Sequence, residues 1–137
     1  MNVDHIVLWV DNPANSLEFY VNIIGMRPVR QQGFEEGTVA FPSVRLNDST
    51  ILDLMNRDML SGVREFTGGG DGGGAPVNHI CFSMNAEDYS ALRSRLIAQG
   101  IKLTSGGEQS FGAQGLAEQS EYFRDPDGNV IEIRYYA

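Results

Sequence analysis

The chain nearly repeats itself. His5-Ile6-Val7-Leu8 returns as His79-Ile80-Cys81-Phe82, and Ile51-Leu52-Asp53-Leu54 returns as Val130-Ile131-Glu132-Ile133, at offsets of 74 to 79 positions. Such self-similarity constrains the fold more than any other feature, because each half must form the same supersecondary unit. In both halves the opening apolar run leads through a polar break into an amphipathic stretch. That stretch ends in a glycine, Gly25 in the first half and Gly100 in the second.

The amphipathic stretches read as helices. Asn12 is a good N-cap, Pro13 suits the first helical position, and Leu17, Tyr20, Val21 and Ile24 recur at helical spacing before Gly25. In the second half Asn85 caps, Glu87 and Asp88 favour the positive end of the helix, and Tyr89, Leu92 and Leu96 form the apolar stripe. The other segments are rich in β-branched and aromatic residues and read as strands. In the first half these are 3–10, 27–34, 38–46 and 50–55, with Pro42 demoting the third to an edge or bulged strand. In the second they are 77–84, 102–105, 117–124 and 130–136, with Asp125-Pro126-Asp127-Gly128 as a turn. The expected fold is α+β: two βαβββ modules whose mixed sheets curl around a cavity. Residues 1–57 form the first module and 77–137 the second. Residues 58–76 are the linker, where six glycines fall within Gly68–Gly74. That run contains no Lys-Ser or Lys-Thr pair, so a phosphate-binding loop is not supported.

The two histidines are the main functional clue, since each lies in the first strand of its half. Strand alternation puts His5 on one face with Val7 and Trp9, and His79 with Cys81 and Ser83. By the same count Asp53 and Glu132 lie on the faces opposite their helices. If those faces oppose one another, two imidazoles and two carboxylates meet in one cavity. A divalent metal would compensate carboxylates set in apolar strands, and nitrogen and oxygen donors suit manganese, iron, nickel, cobalt or zinc. A single strand histidine is more often a satisfied core residue, and Glu132 has Arg124 and Arg134 as alternative partners. Four such residues at matched positions favour the metal. Trp9 and Tyr136 are candidates for the substrate pocket, with core packing as the alternative. Arg134 is a candidate anchor for an anionic group, with pairing to an acid as the alternative. Cys81 reads as a buried small apolar residue rather than a nucleophile.

Composition narrows the partners. The net charge of -8 repels a phosphate backbone, so nucleic acid is not expected. One cysteine permits no intramolecular disulfide, and the N-terminus lacks the basic start and long apolar run of a signal peptide or membrane span. A cytoplasmic location, away from membranes, is the expectation.

The repeat, the opening His5-Ile6-Val7-Leu8, Phe19-Tyr20 followed by Ile24-Gly25-Met26, Asn78-His79-Ile80, and Tyr122-Phe123-Arg124-Asp125-Pro126-Asp127-Gly128-Asn129-Val130-Ile131-Glu132 resemble the vicinal oxygen chelate superfamily. This superfamily includes glyoxalases, bleomycin resistance proteins and extradiol dioxygenases. The resemblance covers nearly the whole chain and implies one glyoxalase-like domain over 1–137. It implies that His5, His79 and Glu132 hold one divalent metal per cavity, with Asp53 where glyoxalase I carries a fourth ligand glutamate. The shorter aspartate suits a base better than a ligand, so Asp53 and Glu132 are the candidate catalytic carboxylates. The implied activity is that of a lyase, isomerase or related enzyme acting on a small oxygen-chelating substrate. The alternative is a non-catalytic drug-binding protein, and a dioxygenase fits less well with only two histidines. A homodimer is also implied, with the cavity formed within one chain or shared between two.

Overall fold

A computed structural model describes residues 4–62, 79–107, 110–112 and 114–137. The chain divides into two compact units, Met1–Gly74 and Ala75–Ala137. The glycine run Gly68–Gly74 lies outside the described residues.

The first unit begins with β1 (His5–Val10) and α1 (Pro13–Glu18), which continues as π-helical turns over Phe19–Ile24. Asn12 caps α1 by accepting from the backbone N–H groups of Ala14 and Asn15, and Pro13 occupies the first turn. The helical segment ends at Gly25, whose φ of 92° is the left-handed conformation that glycine adopts without a Cβ clash. Phe19 and Tyr20, adjacent in sequence, are both buried there and meet edge to face at 5.3 Å. Then follow β2 (Arg27–Val29), α2 (Gln31–Glu35), β3 (Ser43–Asn47) and β4 (Thr50–Asn56), and a short 3-10 turn over Arg57–Met59. The sheet order is β1-β4-β3-β2, with β1 parallel to β4 and the other pairs antiparallel.

Two strand expectations in this unit need correction. The strand expected over 27–34 stops at Val29, because Arg30 takes a left-handed backbone (φ 61°) and the chain turns into α2. Gln31–Glu35 and Gln32–Glu36 side-chain hydrogen bonds, both 2.8 Å and four residues apart, support that helical turn. The third strand begins only after Pro42 rather than at residue 38; it lies inside the sheet, and of the two forms expected, edge or bulged, it takes the irregular one, with a register shift between Arg45 and Asn47.

The second unit repeats the plan with β5 (Ile80–Met84), α3 (Ala86–Ala98), β6 (Thr104–Ser105), β9 (Gln119–Arg124) and β10 (Val130–Tyr135). An additional hairpin, β7 (Phe111–Gly112) and β8 (Gly115–Leu116), precedes β9 and was not expected from the sequence. The sheet order β5-β10-β9-β6 has the same topology as the first sheet, again with first and last strands parallel. Asn85 accepts from the Asp88 N–H, and Glu87 and Asp88 stand in the first turn of α3. Each unit packs its helix on one face of its sheet. Leu8, Val10, Leu52 and Leu54 are buried in the first, as are Phe82, Ile131 and Ile133 in the second, together with Leu17 and Tyr20 of the first helical segment and Tyr89, Leu92 and Leu96 of α3. Among the described residues no helix is long and apolar enough to cross a membrane.

Candidate functional site

Register fixes what shares the other face. In the first unit Val7 pairs with Asp53 and His5 with Ile51, so His5 stands diagonally from Asp53. In the second, Cys81 pairs with Glu132, and His79, two residues earlier, stands in the same diagonal relation. The two halves therefore present the same His-carboxylate motif on equivalent positions.

The first motif is open at the histidine and closed at the acid. His5 is half exposed, and its Nδ1 meets Asp4 Oδ1 at 2.8 Å. That contact raises the His5 pKa above its ordinary value; partial burial opposes it, and the Asp53 charge adds to it. A carboxylate at Nδ1 leaves Nε2 as the nitrogen for another ligand, the usual arrangement behind metal-binding histidines. Asp53 is buried and accepts the Ser43 hydroxyl at 2.6 Å, while Arg30 donates to Ser43 at 3.2 Å. The Arg30 guanidinium lies over the Phe41 ring at 4.3 Å. Trp9 is half-buried on the same face as His5.

The second motif is closer knit. Glu132 is 1% exposed, with Oε2 at 3.2 Å from His79 Nε2 and Oε1 accepting from Arg134 Nη2 at 2.5 Å. The His79 ring meets Tyr122, the register partner of Glu132, edge to face at 5.4 Å. Burial and then the Glu132 charge push the Tyr122 hydroxyl up. Arg134, itself 5% exposed, donates to the Ser110 carbonyl, the Ser110 hydroxyl and the Tyr136 hydroxyl. Burial works against its charge, but the bonds to Tyr136 and Glu132 hold it above the usual guanidinium range. Of the two partners considered for Glu132, the structure shows Arg134; Arg124 donates instead to the Gly128 carbonyl at 2.8 Å. Tyr136 is half-buried and serves as an acceptor for Arg134.

Cys81 differs from expectation. It is exposed rather than buried. Partial loss of water around the sulfur, and then the neighbouring Glu132 charge, still push its thiol up to about 11, which suits neither a nucleophile nor a ready thiolate.

Residues not singled out from sequence complete each motif. Ser43 pairs with Asp53 across β3 and β4, and Tyr122 pairs with Glu132 across β9 and β10. Counting back from the Asp125–Asn129 turn identifies Tyr122, since Arg124 pairs with Val130. The bulge between Arg45 and Asn47 spoils the same count for Ser43.

One pair of donors in the second unit has a spacing compatible with a shared metal ion. Metal–nitrogen and metal–carboxylate bonds of about 2.0–2.2 Å place adjacent ligand atoms roughly 3 Å apart. The 3.2 Å between His79 Nε2 and Glu132 Oε2 matches one edge of such a coordination shell. Within neither unit do three His, Cys, Asp or Glu side chains gather into a metal-binding group among the described residues. Among the described residues each unit supplies one His-carboxylate pair.

Comparisons with known proteins show the family and the fold. Residues 2–133 match the family model of the Glyoxalase/Bleomycin resistance protein/Dioxygenase superfamily. The chain is 31% identical to a lactoylglutathione lyase of Neisseria meningitidis, over 97% of this chain and 89% of the relative. It is 27% identical to Virulence protein STM3117 of Salmonella typhimurium, over 98% of this chain and 83% of that one. A glyoxalase/dioxygenase structure from Nostoc punctiforme superposes with a TM-score of 0.71 at 21% identity, covering 99% of this chain and 91% of that one. The chain belongs to the Glyoxalase/Bleomycin resistance protein/Dioxygenase superfamily.

Proposed function

We propose that the chain is a divalent-metal-dependent enzyme of the glyoxalase type, a lyase, isomerase or related catalyst acting on a small oxygen-chelating substrate. The observation that carries this reading is the buried Glu132 with its Oε2 3.2 Å from His79 Nε2, a ready ligand pair, repeated in position by His5 and Asp53. His5, His79 and Glu132 hold the ion, which is manganese, iron, nickel, cobalt or zinc. When bound, it supplies Lewis acidity to substrate oxygens.

The protein's own groups do the rest. Asp4 holds the proton on His5 Nδ1, which leaves the lone pair of Nε2 for the ion. Ser43 holds Asp53 Oδ1, which orients Oδ2 to take a substrate proton. Trp9 in the first unit and Tyr136 in the second are the candidates to offer ring surface to the substrate. The single cysteine suits a reducing, cytoplasmic setting.

A second reading is a small-molecule or drug-binding protein without turnover. It is favoured by one observation: Arg134 and His79 already satisfy Glu132 without an ion. Metal analysis decides between the readings. Protein purified without chelator or affinity tag is expected to carry about one ion per site, lost in His79→Ala and in Glu132→Gln. No stoichiometric ion, and none taken up on titration, would leave the binding reading.

A further inference from the structure

We propose that Arg134 is a positioning residue that makes Glu132 a one-oxygen metal ligand; this deepens the metal-dependent reading above and rests on it. The two oxygens of Glu132 have different surroundings. Oε2 looks toward His79 Nε2 at 3.2 Å, whereas Oε1 is taken by Arg134 Nη2 at 2.5 Å. Arg134 lies two residues further along β10 and so on the same face, and it is buried beside its carboxylate.

The guanidinium is itself anchored. Nη2 donates to the Ser110 hydroxyl at 3.2 Å, and Nη1 donates to the Ser110 carbonyl and the Tyr136 hydroxyl, each at 3.4 Å. Ser110 is tied to the chain beyond the β7–β8 hairpin by the Ala117 N–H, 3.0 Å from its carbonyl. A planar fork held at several points cannot follow a carboxylate that swings to present both oxygens. Oε1 therefore stays with Arg134, and Oε2 alone is left for the ion.

This division has a chemical consequence. A carboxylate binding through one oxygen occupies one coordination position instead of two, which leaves another position for a substrate that chelates through two oxygens. Sharing its charge with a guanidinium also makes Glu132 a weaker donor, so the ion remains a stronger Lewis acid. If Arg134 only neutralised a buried acid, the number of oxygens offered to the metal would not depend on it.

Difference infrared spectroscopy reads that number directly. Spectra of the wild-type protein with and without zinc, with Glu132→Gln assigning the bands, report the splitting between the two carboxylate stretches of Glu132. One-oxygen binding widens this splitting relative to the free carboxylate, and two-oxygen binding narrows it. The expected result is widening in the wild type, narrowing in Arg134→Met, and widening restored in Arg134→Lys. Narrowing in the wild type, or the same widening in Arg134→Met, overturns the role of Arg134 while leaving the metal site intact. A wild-type protein with no zinc-sensitive Glu132 band overturns the metal-dependent reading and this inference with it. The wild-type measurement decides even if Arg134→Met fails to fold.

Discussion

Asp4 and His5 are neighbours in sequence, yet their contact sets the state of a proposed ligand. The Asp4 carboxylate favours the imidazolium, so the pKa of His5 lies above the ordinary 6.5. The sign of the linkage follows from that direction. Whatever stability the pair contributes is fully present below 6.5 and is lost as pH rises through the raised value. Metal binding requires the neutral ring and runs the opposite way, strengthening as pH rises through the same titration. In metal-free protein, NMR titration of His5 should give a midpoint above 6.5 that drops in Asp4→Asn. Asp53→Asn should lower it less, because the Asp53 influence ranks behind that of Asp4. A midpoint unmoved by Asp4→Asn would remove Asp4 from the site.

At the scale of elements, β6 shows how closely the second sheet is fitted at its edge. It has only two residues, Thr104 and Ser105, and the chain continues against β9 through the Gly106 N–H to the Ser120 carbonyl at 2.9 Å. A Cβ at Gly106 would lie 2.0 Å from the Ser120 hydroxyl oxygen and 3.1 Å from both Ser120 Cβ and the Tyr122 ring. Ser120 is buried and Tyr122 packs on His79, so neither yields freely. Gly106→Ala should therefore cost about 1–3 kcal/mol in urea unfolding, the usual penalty for overpacking. An unchanged midpoint would show that the Ser120 side chain rotates away without loss. The same strain would reach the His79–Glu132 pair through Tyr122, so the variant should also perturb the His79 ring signals.

For the whole molecule, the duplicated topology raises the question of which halves form one working site. Each unit carries one His-carboxylate motif, and neither gathers three metal-binding side chains among the described residues. The proposed centre of His5, His79 and Glu132 draws on a first half and a second half, from one chain or from two. We expect a homodimer, with a light-scattering mass about twice 15.1 kDa. If the cavity is shared between the two chains, mixing His5→Ala with His79→Ala protein under exchange conditions should regenerate some intact sites. A monomer with a full complement of metal would exclude a site shared between chains.

The sequence by itself determined the duplication, the helix caps at Asn12 and Asn85, the glycine stop at Gly25, and the faces of His5, Asp53, His79 and Glu132. These are local or periodic properties: a cap depends on a few residues, and strand alternation depends only on counting. The sequence did not reveal that the second strand ends at Arg30, because one left-handed residue and two Gln–Glu pairs outweigh an apolar fringe. Nor did it reveal the β7–β8 hairpin, whose strands are two residues each. Above all, it left Glu132 with two arginines to choose from. Only the tertiary structure decided between the arginines, because a buried carboxylate takes the donor whose other hydrogen bonds hold it in place. Ser110, 24 residues from Arg134, holds that donor against Glu132, and Arg124 is instead engaged with its own turn.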